Sequence, residues 1–344
     1  MSEIRDGNRS GAAPELVVVG ELNVDLILEQ LNDGPELGKE RVARGMTLTL
    51  GSSSAILASN ASRLGLNVGF VGCVGPDSFG AFVRDALVEA GVDVTQLIRR
   101  EHEATGLTVI YTYAGDRGML TYPGAMETLT FDELPLAWIT SARHLHLSSY
   151  YLQPALRPSV PELYRAAKAA GLSTSFDTNW DPDEAWEEDI YEVFPCVDVF
   201  LPNDAEAKRI AREDDLQRAV EKLARHVGVV VVTCGKDGVI ARRGDEQLHV
   251  NALPVTPVDA VGAGDSFNAG FLSRYVRGAD LAACLTAGTT SAAFSTTQAG
   301  GTTAFRDIAR YRRFEQEMRS MAVARTIHPH SHPALDAGDK GSAP

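Results

Sequence analysis

One stretch of this chain sets an acid directly behind bare backbone. Residues 258–271 read VDAVGAGDSFNAGF. Gly262, Ala263 and Gly264 leave their amides uncovered, and Asp265 follows at once. Phe267, Phe271 and Tyr275 then recur every four residues, the spacing of a helix with one apolar face. Amides at a helix N-terminus are a ready site for a phosphate, or for the charge that grows on one during transfer. A carboxylate there repels a resting phosphate, so its placement needs a reason. A base that draws the proton from a hydroxyl attacking that phosphate is such a reason. On the four residues alone the plainer reading wins, an acid favoured by the helix dipole.

Such a base needs a scaffold. Between the ends of the chain, short β-branched runs (ELVVVG, NVGFVGCVG, RHLHLSS, LSTSFDTN, VDVFLPN, GVVVVTCG) alternate with helix-like segments (SSAILASNASRLG, AFVRDALVEAG, VPELYRAAKAAG, LQRAVEKLARHVG). This alternation predicts an α/β fold with a mostly parallel sheet flanked by helices. Residues 26–50 and 105–130 break the rhythm, being turn-rich and period-two in places, and are expected to form strands outside the main sheet, as a small lid. In such folds ligands gather at the carboxyl ends of strands. Polar residues recur there: Asn23 and Asp25, Asp177 and Asn179, Asn203 and Glu206, then Thr233, Gly235 and Lys236.

Bulk properties narrow the function. The net charge of −14 over 344 residues argues against nucleic acid and anionic membrane as partners. No apolar run approaches the ~20 residues of a spanning helix, and the N-terminus lacks a signal core, so a cytoplasmic protein is expected. The four cysteines are scattered, which points to free thiols. Residues 1–14 and the Pro-, Gly- and His-rich 323–344 are expected to be disordered, around a folded domain over 15–322. There is no G-x-x-x-x-G-K-[ST], no G-x-G-x-x-G after the first strand, no H-E-x-x-H and no G-x-S-x-G.

The stretch from Asp259 to Phe267 resembles the C-terminal signature of the ribokinase-like, or PfkB, carbohydrate kinases, D-[ST]-x-G-A-G-D-x-F. GELNVD resembles that family's G-x-x-N-x-D opening. GSSSAILASNASRLG with VGCVGPDSFG resembles its N-terminal signature, LPNDAE its N-x-x-E, and VVTCGKDG its T-x-G-x-x-G nucleotide segment. The resemblance implies transfer of the ATP γ-phosphate to a sugar hydroxyl under a β lid. It makes Asp265 the base and the amides of Gly262, Ala263 and Gly264 the anion hole. It places Asn203 and Glu206 near Mg²⁺, partly through water, and Thr233, Gly235, Lys236 and Gly238 along the nucleotide with Asn203, Gly262 and Gly264. Asn23, Asp25, Gly51 and Ser52 fall on the sugar side with Asp265.

Departures touch the substrate. The Ser/Thr after the first aspartate is Ala260, and the second glycine of the N-terminal signature is Ser52. The Lys and Asn of ribose-type members are Ser53 and Ile56. If Ile56 lines the sugar, ribose is a poor substrate, and a deoxy or keto-acid sugar or a nucleoside is favoured; the alternative is that Ile56 faces the core. Some members hold a monovalent cation such as K⁺ near the first aspartate. Asp259 and Val261 match that loop, while TTQAGGT matches its distal partner only loosely. A nucleoside kinase and a catalytically silent sugar sensor stand beside the sugar-kinase reading. The apolar residues Leu48, Leu50 and Ile110 of the lid raise a homodimer.

Overall fold

The computed structural model describes residues 13–113, 116–319, 321 and 325–326. The alternation read from the sequence becomes strands β1 (Leu16–Val19), β2 (Asn23–Glu29), β3 (Gly45–Leu50), β4 (Val68–Val74), β5 (Asp93–Arg99), β6 (Gly106–Tyr113), β7 (Asp116–Tyr122), β8 (His144–Leu147), β9 (Ser173–Phe176), β10 (Val199–Phe200), β11 (Val229–Thr233), β12 (Val239–Arg243), β13 (Glu246–Val250) and β14 (Arg325–Thr326). The helices are α1 (Ser53–Arg63), α2 (Ser78–Ala90), α3 (Leu136–Ile139), α4 (Val160–Ala169), α5 (Asp204–Ala211), α6 (Leu216–Leu223), α7 (Ala263–Tyr275), α8 (Leu281–Ser295) and α9 (Ile308–Met318).

Ten strands form the large sheet, in the order β14-β13-β12-β11-β10-β9-β8-β1-β4-β5. Pairing is parallel from β11 through to β5 and antiparallel from β11 outward to β14. The central strands are apolar almost without interruption because both faces are covered. Val17 and Val19 of β1 join one core cluster with α4, α5 and α6, while Leu16 and Val18 join the other with α1, α2, α7 and α8. Phe267, Phe271 and Tyr275 stack in succession along α7, as their spacing required. The antiparallel edge includes Arg325 and Thr326, paired with His249 and Leu248, inside the stretch expected to be a disordered tail. Pro14, at the end of the lead expected to be disordered, is buried. The remainder of both segments lies outside the described residues.

The irregular stretches supply a second sheet, β3-β2-β6-β7, in which β2 and β6 run parallel and the outer pairs antiparallel. Its two faces differ. Asp25, Ile27, Thr49, Thr108 and Ile110 are buried on one. On the other, Leu48, Leu26, Val109 and Leu120 stand opposite one another straight across the four strands, with Met46, Leu28 and Tyr111 in the next row. Leu120 is 67% and Met46 69% exposed. No helix among the described residues is long and apolar enough to cross a membrane.

Candidate active site

The carboxyl ends of β1, β9, β10 and β11, the start of α7 and the buried face of the small sheet converge. Gly262 caps α7 with φ 71°, a left-handed conformation that glycine adopts without strain. A Cβ on it would also lie 2.7 Å from Gly301 Cα, so the position requires glycine twice over. A Cβ on Gly264 would meet nothing within 4 Å, which marks the open side of the loop. The Ala263 amide donates to Ala260 O at 3.3 Å, and the first helical bond is Ser266 N–H to Gly262 O at 2.9 Å. The amides of Gly264 and Asp265 precede that bond, where helical donors lack intrahelical partners.

Asp265 is half-buried at the base of this turn. Burial, helped by the charge of Glu21, pushes its carboxyl up to about 7, against the pull of a hydrogen bond from Ser53. Asp25, on β2, is also raised to about 7, by burial and by the charges of Asp265, Glu21 and Asp259, against the Asn23 bond. Asn23 holds it there: its Nδ2 donates to Asp25 Oδ1 (3.0 Å) and to Thr108 Oγ1 (2.9 Å). A side chain at Gly51 would strike Asp25 Oδ1 at 2.3 Å, so this glycine makes room for the acid. Ser52 is turned to the fold instead. Its hydroxyl donates to Glu21 O (2.6 Å) and accepts from Ala55 N–H (2.9 Å), capping α1.

Asn203 and Glu206 form a reciprocal cap on α5. Glu206 N–H donates to Asn203 Oδ1 (2.9 Å), and both Glu206 oxygens accept from Asn203, at 2.9 and 2.6 Å. Burial with the charges of Asp265 and Asp204 lifts Glu206 to about 7. Thr233 lies beside Asn203, bridged to it at the ends of β10 and β11. Gly235 opens the following turn with φ 53° and open space at its Cβ position, and Lys236 is exposed. Gly238 has a packing role, since a Cβ there would sit 2.0 Å from Val250 O. Asp259 fastens two loops, accepting from Val261 N–H and Gly300 N–H, each at 2.9 Å.

Two acids matter more than the sequence showed. Glu21 is buried two residues past β1, bonded through its carboxylate to the Ser54 hydroxyl and amide. Asp177 is buried after β9, held by Asn268 Nδ2 (2.7 Å) and Asn179 N–H (3.1 Å). Both are raised by burial, Asp177 well above the usual range with the charges of Glu206 and Asp265 adding to it. An acid just past an apolar strand was their only signal. Ile56 takes the second of the two places expected for it, the core. It is buried, with Cδ1 and Cγ2 packed against Gly262 and Gly301, and so supports the glycine loop from beneath.

A parallel sheet with this mouth and a capping second sheet is the architecture of a ribokinase-like kinase. The description "pfkB family carbohydrate kinase" matches residues 13–308, and the chain belongs to that family of phosphotransferases. It is similar to a nucleoside kinase of Methanothermobacter thermautotrophicus, 31% identical over 287 residues, 83% of this chain and 87% of the relative. It is likewise similar to a fructokinase of Salmonella typhimurium, 31% identical over 277 residues, 74% of this chain and 88% of that one. Among solved structures, an Escherichia coli chain described as a ribokinase II, in complex with ATP and Mg²⁺, superposes with a TM-score of 0.79 at 23% identity, covering 88% of this chain and 99% of its own.

Proposed function

We propose that the protein transfers the γ-phosphate of ATP to a hydroxyl of a sugar or sugar-like small molecule. The observation that carries this reading is Asp265, set in the first turn of α7 behind the left-handed Gly262, with its charge adding to the raised carboxyl of Asp25 on the buried side of the small sheet. Asp25 and Asn23 would bind acceptor hydroxyls from above. Asp265 would take the proton of the attacking hydroxyl, and the amides of Gly264 and Asp265 would receive the charge of the transferred group. A base held near 7 by burial can accept a proton at neutral pH and release it again. Thr233 and Gly235 would line the nucleotide.

The acids would attract a divalent cation carried in on ATP, since no group of three or more ligating side chains among the described residues is gathered to hold one alone. Asp177, Glu206 and Asp265 are all raised first by burial; the charges of Glu206 and Asp265 add to Asp177, and that of Asp265 adds to Glu206, with no cationic side chain among the main influences. Glu206 would hold Mg²⁺ through water, since both its oxygens already serve Asn203. The metal would neutralise charge between the β- and γ-phosphates. K⁺ at the Asp259 loop belongs to the same proposal. A nucleoside acceptor is the second reading, favoured by the 31% identical nucleoside kinase. The apolar outer face of the small sheet supports a homodimer, and the four free thiols support a reducing, cytoplasmic setting.

The test is ADP release measured with Mg·ATP over fructose, ribose, 2-keto-3-deoxygluconate and nucleosides, with and without K⁺. Acceptor-dependent ADP formation is expected, abolished by chelator. ATP turnover that ignores every acceptor, or full activity in excess chelator, would contradict the proposal.

A further inference from the structure

Asn60, on α1, has none of its surface exposed. Its Nδ2 donates to Ser266 Oγ at 3.0 Å and to Gly301 O at 2.9 Å, which spends both amide hydrogens. Its Oδ1 is buried and has no partner among the described residues. An unpaired buried acceptor is destabilising, and an apolar residue of the same size would avoid that cost. The reason for an amide here lies in what its two bonds hold. Ser266 follows Asp265 in α7 and is itself fully buried, and its hydroxyl also reaches Gly301 O, at 3.4 Å. Gly301 lies against the glycine turn, since a Cβ on Gly262 would come 2.7 Å from Gly301 Cα. The neighbouring Gly300 N–H donates to Asp259 Oδ2 at 2.9 Å. The loop at 300–301 thus meets the glycine turn on both sides, at Asp259 before it and at Ser266 behind it. Asn60 is the side chain that bonds the second of these junctions to α1.

We infer that Asn60 is a positioning residue: by tying Ser266 and Gly301 to α1, it sets where the amides of Gly264 and Asp265 point. The inference rests on those amides receiving the charge of the transferred group. Donors of that kind act on the transition state because they are fixed in place beforehand. A small misplacement caused from outside the site therefore slows the transfer. Binding of the ground state, which does not depend on the same aim, changes less. Without Asn60, Ser266 Oγ keeps its own longer bond to Gly301 O, but no hydrogen bond among the described residues joins that pair to α1.

Asn60→Leu keeps the size of the side chain and loses both bonds. Acceptor-dependent ADP release with Mg·ATP gives its kcat and both KM values, at a temperature where circular dichroism shows it folded. Its kcat should fall about tenfold, while the KM for ATP and for the acceptor stay within about threefold. Asn60→Ala should match it in kcat and melt lower, because it also leaves a cavity. Ser266→Ala, which leaves Asn60 bonded to Gly301 O, should lose less, about threefold in kcat. A wild-type kcat in folded Asn60→Leu would overturn the inference and make the amide a matter of packing alone. So would a raised ATP KM with kcat unchanged, which would make the tie serve nucleotide binding. If Asn60→Leu does not fold, Ser266→Ala decides, and wild-type kinetics in it would overturn the inference. The wild type is measured alongside. If its ADP release ignores every acceptor, the reading of the glycine turn as the site of transfer fails and takes the inference with it. If it transfers and Asn60→Leu turns over as fast, the inference alone fails.

Discussion

Glu206 has both carboxylate oxygens committed to Asn203, at 2.9 and 2.6 Å, and is nevertheless buried among acids that push it up to about 7. A cap does not need a buried charge; an exposed acid at the third helical position would serve α5 as well. The burial makes sense if a cation completes the site. Glu206→Gln should therefore raise the Mg²⁺ concentration for half-maximal activity by about tenfold, with kcat at saturating Mg²⁺ within about threefold. A magnesium titration that superposes on the wild type would remove Glu206 from the metal's surroundings. Ile56 calls for a different kind of effect. Because it packs on Gly262 and Gly301, Ile56→Ala should loosen the glycine turn, costing about 2–4 kcal/mol of stability and lowering kcat. The ranking of acceptors should stay as it was. A reordered acceptor panel would return Ile56 to the sugar pocket.

The small sheet is built to present two surfaces, because alternate residues of a strand point to opposite faces. Its buried face brings Asp25 and Thr108 to the site; its outer face carries the rows Leu48–Leu26–Val109–Leu120 and Met46–Leu28–Tyr111. An apolar sheet face with Met46 and Leu120 this exposed is the kind of surface that association would cover. A self-complementary, two-fold pairing is the simplest arrangement that covers it on every copy. Sedimentation should find a dimer for the wild type and a monomer for Leu48→Lys/Leu120→Lys; a wild-type monomer, or a double variant that stays dimeric, would contradict the pairing. The strands of this sheet were legible in outline from their period-two pattern, as was α1 from its serine start and Gly65 stop. Elements that show no pattern were not. Most of α8 is buried, from Leu281 to Ser295, so it has no polar face and no 3.6-residue stripe to detect. The β12–β13 hairpin was hidden by Arg242 and Arg243, which put charge where an apolar alternation would be sought. The left-handed backbone at Asn179 and the burial of Glu21 near the site are not written in residue type.

Across the whole molecule, the acid cluster ties stability to pH. Asp25, Glu206 and Asp265 titrate at about 7 when folded, against ordinary carboxylate values of 3.8–4.5. The folded protein therefore binds more protons than the unfolded chain between about pH 4 and 7, and stability must fall as pH rises through that window. One pKa unit is about 1.4 kcal/mol, and each kcal/mol moves the Tm of a domain this large by about 1–2 °C. The apoprotein should lose about 5 °C or more between pH 5 and pH 8. Asp25→Asn should flatten this slope and raise the Tm at pH 8; a variant as pH-sensitive as the wild type would show that the cluster is not its source. The same cluster holds the base on which the reaction depends, and turnover of Asp265→Asn tests that dependence most directly. With Mg·ATP and an accepted substrate, kcat should fall by about 10² or more, the scale of a lost general base. ATP and acceptor affinities, measured by calorimetry, should stay within about threefold. A variant that turns over near the wild-type rate, with binding intact, would contradict the account.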